Sequence, residues 1–291
     1  MVEFDVPEVD YTRYTNRQLA AIPLAVLAVA LLVIAGWTAA TGVPVDRGID
    51  FTGGTELRVG VDAPSDQAAR EGIRDAFSAE PESIQSIPAE GTYVVTFQQG
   101  VSGVQLEEEA NAAGFDVLSR DSVSASFGDG SQLTALGGVA VAFLGMSVLV
   151  FLMFRTFVPS IAVVISAFSD IVVPVALMNL LGIELSLGTV AALLMLIGYS
   201  VDSDILLNNH ILRRSGDFYE STYRAMQTGV TMTLTSIAAM IVMTITASVV
   251  GIGLLSAIGT VLVFGLATDL MNTYMLNLSL LRWYKFEGVS R

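Results

Sequence analysis

The chain contains no cysteine, one lysine (Lys285) and one histidine (His210). Without cysteine there is no disulfide framework, no thiolate nucleophile and no thiolate-bound metal. A single histidine cannot build a histidine-rich metal centre, so no metal or other cofactor is expected. Charge is scarce as well, at 14% of residues against about 25% in an ordinary soluble domain. Of the two signs, positive is the rarer: 14 basic residues face 28 acids, for a net charge of −14. That balance leaves no basic footprint for nucleic acid. Apolar residues, by contrast, make up 53% of the 291 positions, and mean hydropathy is +0.65. These absences leave a membrane protein with an acidic water-facing part.

Six apolar stretches, near 18–41, 132–154, 157–181, 186–208, 229–250 and 252–281, meet the length of about 20 residues needed to cross a bilayer. The first is long and lacks a small-residue cleavage site, so it reads as a retained helix and not a cleaved signal peptide. Between the first two stretches lies a polar insertion, 42–131, that reads as a separate domain. The expected plan is an inner tail (1–17), one span (18–41), the inserted domain (42–131), five spans (132–281) and a second inner tail (282–291). Orientation follows from basic residues near the span ends. Arg13, Arg17, Arg155, Arg213, Arg214, Arg224, Arg282, Lys285 and Arg291 all fall on one side, and the short turns opposite hold none. Both termini are therefore expected in the cytoplasm and the inserted domain outside.

The inserted domain reads as strand 49–61, a helix capped by Ser65 or Asp66 and running to Ala79, strands 83–87 and 92–98, a helix to Ala113, and strand 115–127. Ser102 and Gln105 have capping-box spacing at the start of the second helix. The order βαββαβ predicts an α+β, ferredoxin-like domain. It holds 16 acids and five arginines. With one lysine in the whole chain, that surface reads as solvated adaptation to a very salty medium.

Ionisable residues inside spans are costly and are functional candidates by default. Four are present: Asp170, Asp202, Asp204 and Asp269. At 1.5 Å per residue, Asp170, Asp269 and Asp202 stand roughly 20, 18 and 14 Å above the inner ends of their spans. These three are expected to meet in one layer. Asp204 lies about 200° from Asp202 on the helix wheel and ranks below it. The competing reading is structural, with neighbours such as Ser169 and Asn272 bonding these carboxylates across helices. Thr228, Thr231 and Thr235 read as helix contacts, His210, Phe157, Trp283, Tyr284 and Phe286 as interface residues, and the methionines as packing.

Two stretches stand out: Gly48-Ile-Asp50-Phe51-Thr-Gly53-Gly54 after the first span, and Gly198-Tyr199-Ser200-Val-Asp202-Ser-Asp204 in the fourth. The glycine-rich stretch lacks the lysine and helix of a phosphate loop. Six spans, the large insertion and these two stretches in this order together resemble the SecF family of protein-export membrane subunits, over almost the whole chain. Val-Asp-Ser-Asp is similar to the archaeal branch, and Gly-x-x-x-Asp resembles span four of resistance-nodulation-division transporters. The chain departs from bacterial members in having no basic residue between Arg224 and Arg282. The resemblance implies a six-helix half bundle completed by SecD. It implies work on exported polypeptides beside a SecYEG-type translocon, an ion gradient coupled through Asp202, and no catalysis. Two other classes remain open: an ion-coupled exporter of small molecules or lipids, and an intramembrane aspartyl protease. Chains of the first class usually carry twelve spans; the second needs a Gly-x-Gly-Asp stretch, which is missing.

Overall fold

The computed structural model describes Val6, 9–87, 91–213, 217–250 and 252–288, except the side chains of 87, 125–127, 129 and 213. Arg214 and Arg291 of the inner basic set lie outside the described residues. In chain order the elements begin with α1 (Asn16–Thr41), a one-turn helix α2 (Ile49–Thr52), β1 (Gly54–Gly60) and α3 (Asp66–Ala76). Next come β2 (Ser83–Ile87), β3 (Thr92–Phe97), α4 (Gly103–Ala112) and β4 (Asp116–Val123). The long helices α5 (Ala125–Phe154), α6 (Phe157–Leu181), α7 (Leu187–Arg213) and α8 (Phe218–Val250) follow. The last span is composite: α9 (Gly253–Met271), a π-helical segment Asn272–Asn277, α10 (Leu278–Trp283) and a second π-helical turn Tyr284–Gly288.

Among the described residues, six helices are long and apolar enough to cross a membrane. Their ends carry the expected chemistry. Thr15 and Gln18 form a reciprocal capping box at the start of α1, and Gly42, at φ +82°, closes its end. α6 ends the same way at Gly182, φ +67°. α7 packs against α5, α6, α8 and α9, while α1 lies against α6 through Ala30, Val172, Val173 and Ala176. An apolar cluster including Phe51, Leu193, Leu196 and Leu262 fills the half of the bundle next to the inserted segment. A second, including Leu207, Phe218, Met226 and Leu278, fills the half next to α1's first residues and the end of the last span. α1, α5 and α8 leave most of their apolar surface exposed.

The small sheet is antiparallel throughout, in the order β2-β3-β1-β4, with Leu57 paired to Val95 on one side and Arg120 on the other. α3 and α4 cover one face. Leu57, Val95 and Phe97 from the sheet, Ile73 from α3 and Leu106 from α4 are fully buried there. This core belongs to the inserted segment alone.

Several boundaries differ from the expectation. The first strand does not begin at residue 49: Gly48 O accepts from Phe51 N (2.9 Å) and Ile49 O from Gly53 N (2.9 Å), which closes α2 first. Gly53 and Gly54, at φ +71° and +140°, then turn the chain into β1. The last strand stops at Val123, and α5 begins at Ala125, well before its apolar run. Gly128 of that early turn packs on α2, where an added Cβ would come 2.8 Å from Phe51 O. α3 ends at Ala76 instead of Ala79. Ser102 precedes α4 without a side-chain cap bond, and the Gln105 side chain turns to Glu109, its Nε2 donating to Oε1 (2.9 Å). α7, α8 and the last span each run beyond their apolar stretches, since polar residues at a membrane surface continue a helix readily.

Candidate functional site

Between the two apolar clusters of the bundle lies a polar layer built from three helices. Asp170 comes from α6, Ser200, Ser203 and Asp204 from α7, and Asp269 from α9. The three carboxylates are 1% exposed or less. Burial of this kind demands hydrogen-bond partners. Asp170 accepts from Ser200 Oγ (2.6 Å) and Asn272 Nδ2 (2.6 Å). Asp204 accepts from Thr273 Oγ1 (2.9 Å) and Asn277 Nδ2 (2.8 Å). Asp269 accepts from Ser203 Oγ (2.7 Å), with Thr273 Oγ1 at 3.3 Å.

Asn272, Thr273 and Asn277 all belong to the π-helical segment. The wider π turn changes the helix phase, and such turns recur at functional sites. Here it brings three donors onto the carboxylate layer from one segment. Tyr274 of the same segment sits over Gly229 of α8, where an added Cβ would meet its hydroxyl.

Several polar atoms of the layer remain without a partner among the described residues. Ser203 has one hydroxyl hydrogen, yet both Asp269 Oδ1 and Ser200 O (2.9 Å) are within its reach. Asp204 Oδ2, Asp269 Oδ2, Asn272 Oδ1, Asn277 Oδ1 and both amide atoms of the buried Asn208 have no partner among the described residues. The hydrogen-bond partners of the three carboxylates named above are all neutral side chains. Such a layer is suited to taking up a cation or a proton.

Asp202 is not in this layer. The helix wheel rightly separates Asp202 from Asp204, but it is Asp204 that faces Asp170 and Asp269. Asp202 is exposed on the opposite face of α7. Gly198, one turn away on that face, has nothing within 4 Å of an added Cβ. Axial height alone does not set which face of α7 looks inward, because apolar residues flank both aspartates. Ser169 Oγ has no partner among the described residues, whereas Asn272 bonds as expected. Tyr199 OH donates to Thr233 Oγ1 (3.2 Å), and His210 is buried near the C-terminal end of α7.

The Gly48–Gly54 turn lies at the other end of α7. Phe51 is buried in the apolar cluster it shares with Leu193, Leu196 and Leu262. Gly54 sits so close to β3 that a Cβ would fall 2.4 Å from Phe97 O. Gly48 N donates to Leu185 O (2.9 Å), and Leu185 N to Asp46 O (2.7 Å). Asp50 Oδ2 accepts from Leu187 N (2.9 Å), the first residue of α7. Glu184, in the loop joining α6 to α7, presses on Gly48, its Oε2 3.1 Å from where a Cβ would stand. Burial, reinforced by Glu82, Glu56 and Asp46, pushes its carboxyl up to about 7. Sequence reading missed Glu184, because nothing local marks an acid in a short turn as buried.

The family described as protein export membrane protein SecD/SecF, C-terminal, matches residues 105–287, which hold all four aspartates. The SecD/SecF GG motif matches residues 40–65, which hold the Gly48–Gly54 turn. The chain is 76% identical over 292 residues to the protein-export membrane protein SecF of Haloferax volcanii. It is 70% identical over 295 residues to that of Haloquadratum walsbyi, and in both cases 100% of each chain is covered. It shares its fold with SecDF, a translocon-associated membrane protein from Thermus thermophilus, at TM-score 0.70 and 21% identity. That match covers 96% of this chain and 39% of the larger one. Matched along its whole length by relatives of one kind, the chain belongs to the SecF family of multi-pass protein-export membrane proteins.

Proposed function

We propose that proton movement through the layer of Asp170, Asp204 and Asp269 drives this protein-export subunit, in complex with a SecD partner and beside a SecYEG-type translocon. The observation that carries the reading is the layer itself: three buried carboxylates from three helices, held by neutral donors, with carboxylate oxygens left unpartnered among the described residues. A proton shared into this network supplies the donor that Ser203 cannot provide twice. Among the described residues no three His, Asp or Glu side chains converge as metal ligands, which favours a proton over a chelated ion. The role is conformational and not catalytic.

Asp202 supports the SecD partner. An aspartate in the middle of a span is not left facing lipid, and Gly198 leaves its face of α7 open to close approach. A second six-helix unit covering this face encloses Asp202 and brings it into the same membrane layer. The basic residues near the span ends support cytoplasmic termini. The sheet with α3 and α4 is then an extracytoplasmic, ferredoxin-like domain, acting on exported polypeptides late in their passage. Its acidic surface suits a very salty medium.

The test is secretion in cells whose native copy is replaced by Asp204→Asn, Asp170→Asn, Asp269→Asn or Asp202→Asn, alongside the amount of complex with SecD. The amide keeps size and hydrogen bonding but cannot ionise. The three buried-layer variants should assemble normally and export no better than cells lacking the chain. Normal export by all three leaves the layer a structural contact.

A further inference from the structure

The Gly48–Gly54 turn has no place in the reading above, yet it touches everything that must move. It joins α1 to β1, α5 stands on it through Gly128, and α7 begins against it. α7 is also the helix that supplies Ser200, Ser203 and Asp204 to the carboxylate layer.

The start of α7 shows how the contact works. A helix begins with four N–H groups that lack partners in the helix. Ser186 and Thr189 satisfy one another: Thr189 N donates to Ser186 Oγ (3.1 Å) and Ser186 N to Thr189 Oγ1 (2.8 Å). Leu187 N is outside that pair, and its acceptor is Asp50, 137 residues earlier in the chain. A carboxylate at a helix N-terminus is held by the backbone N–H and by the helix dipole together. The backbone pairing of Gly48 and Asp46 with Leu185 fixes the same segment two residues before the first residue of the helix.

We propose that Asp50 is a positioning residue that pins the outer end of α7 to the base of the inserted domain, so that the two move as one body. Gly48 and Gly54 allow the pin because a side chain at either position meets Glu184 or β3. A displacement of α7 in the carboxylate layer is thereby delivered to β1, which lies in the middle of the sheet. The inference adds to the export role a mechanical route. Its distance readout is independent of proton movement, so either idea can fail alone.

The chain has no cysteine, so labels are placed without background. Spin labels at Arg74→Cys on α3 and Met195→Cys on α7, both exposed, report the distance between domain and helix in the full chain in lipid nanodiscs. Labels at Val29→Cys and Met195→Cys report the bundle itself. Leu187→Pro removes the one N–H that Asp50 accepts, at the first helical position, where proline is tolerated. Leu187→Pro and Asp50→Leu should each raise the displaced fraction of the Arg74–Met195 distances by about tenfold, the effect of losing one hydrogen bond to a charged acceptor. Asp50→Asn, which keeps an acceptor without the charge, should raise that fraction by only about threefold, since a neutral bond retains about half of the interaction. The Val29–Met195 distances should not change in any variant. Unchanged Arg74–Met195 distances in both Leu187→Pro and Asp50→Leu, or an equal change in the Val29–Met195 pair, overturn the proposal.

Discussion

The inserted domain and the helix bundle bury opposite things. The domain hides Leu57, Val95, Phe97 and Ile73 and carries its many acids outside. The bundle exposes Leu133 at 78% and Val141 at 71%, and hides Asp170, Asp204 and Asp269. In water, removing apolar surface from solvent is the main driving force. In lipid that force is absent between helices, so packing and polar contacts decide which faces meet. The comparison teaches that leucines set the architecture of the domain, while carboxylates and their donors select the inward faces of the bundle.

The largest expected effect breaks the comparison if it fails. Leu57→Ala, in the domain core, should cost about 2–5 kcal/mol, read as lost amide protection in the inserted domain. Leu133→Ala, facing outward on α5, should leave the protection of the bundle unchanged. Equal losses would mean that apolar burial governs both regions alike.

A second effect concerns the seam between the regions. Glu184, with its carboxyl pushed up to about 7 against an ordinary 4.5, favours the docked joint when protonated. Its stabilising contribution is complete below its ordinary value and is lost as pH rises through about 7. Protection of the Leu185 and Leu187 amides should therefore be stronger near about pH 5 than near about pH 8. In Glu184→Gln that dependence should vanish, with the joint at the higher pH becoming tighter than in the parent.

The smallest effect belongs to the domain surface. Arg120 Nη1 and Glu107 Oε2 are 2.7 Å apart, but both side chains are more than a third exposed. Arg120→Gln should cost less than about 1 kcal/mol in thermal unfolding, and less still in molar salt. A larger cost would show that surface charge pairs hold this domain together.

Much of this was legible in the sequence, for different reasons in the two regions. Six spans follow from length and hydropathy alone, and the order of strands and helices in the insertion follows from caps and alternation at Ser65, Thr92–Phe97 and Gly114. What periodicity does not reach is phase and strain. The inward face of α7 depends on donors that a π-helical segment brings from α9, and no local pattern announces that segment. Asp202 and Asp204 therefore exchanged places. The Gly48–Gly54 stretch was visible as unusual, but its β-forming residues concealed a helical turn whose purpose is met at Leu187, far along the chain.

The buried layer of Asp170, Asp204 and Asp269 is proposed to carry protons. The direct measurement is proton uptake into vesicles containing the complex with SecD under an imposed pH gradient, followed by a dye enclosed inside. The account predicts uptake by the parent complex and none by Asp204→Asn at equal protein content. Uptake by Asp204→Asn at the parent rate would contradict it.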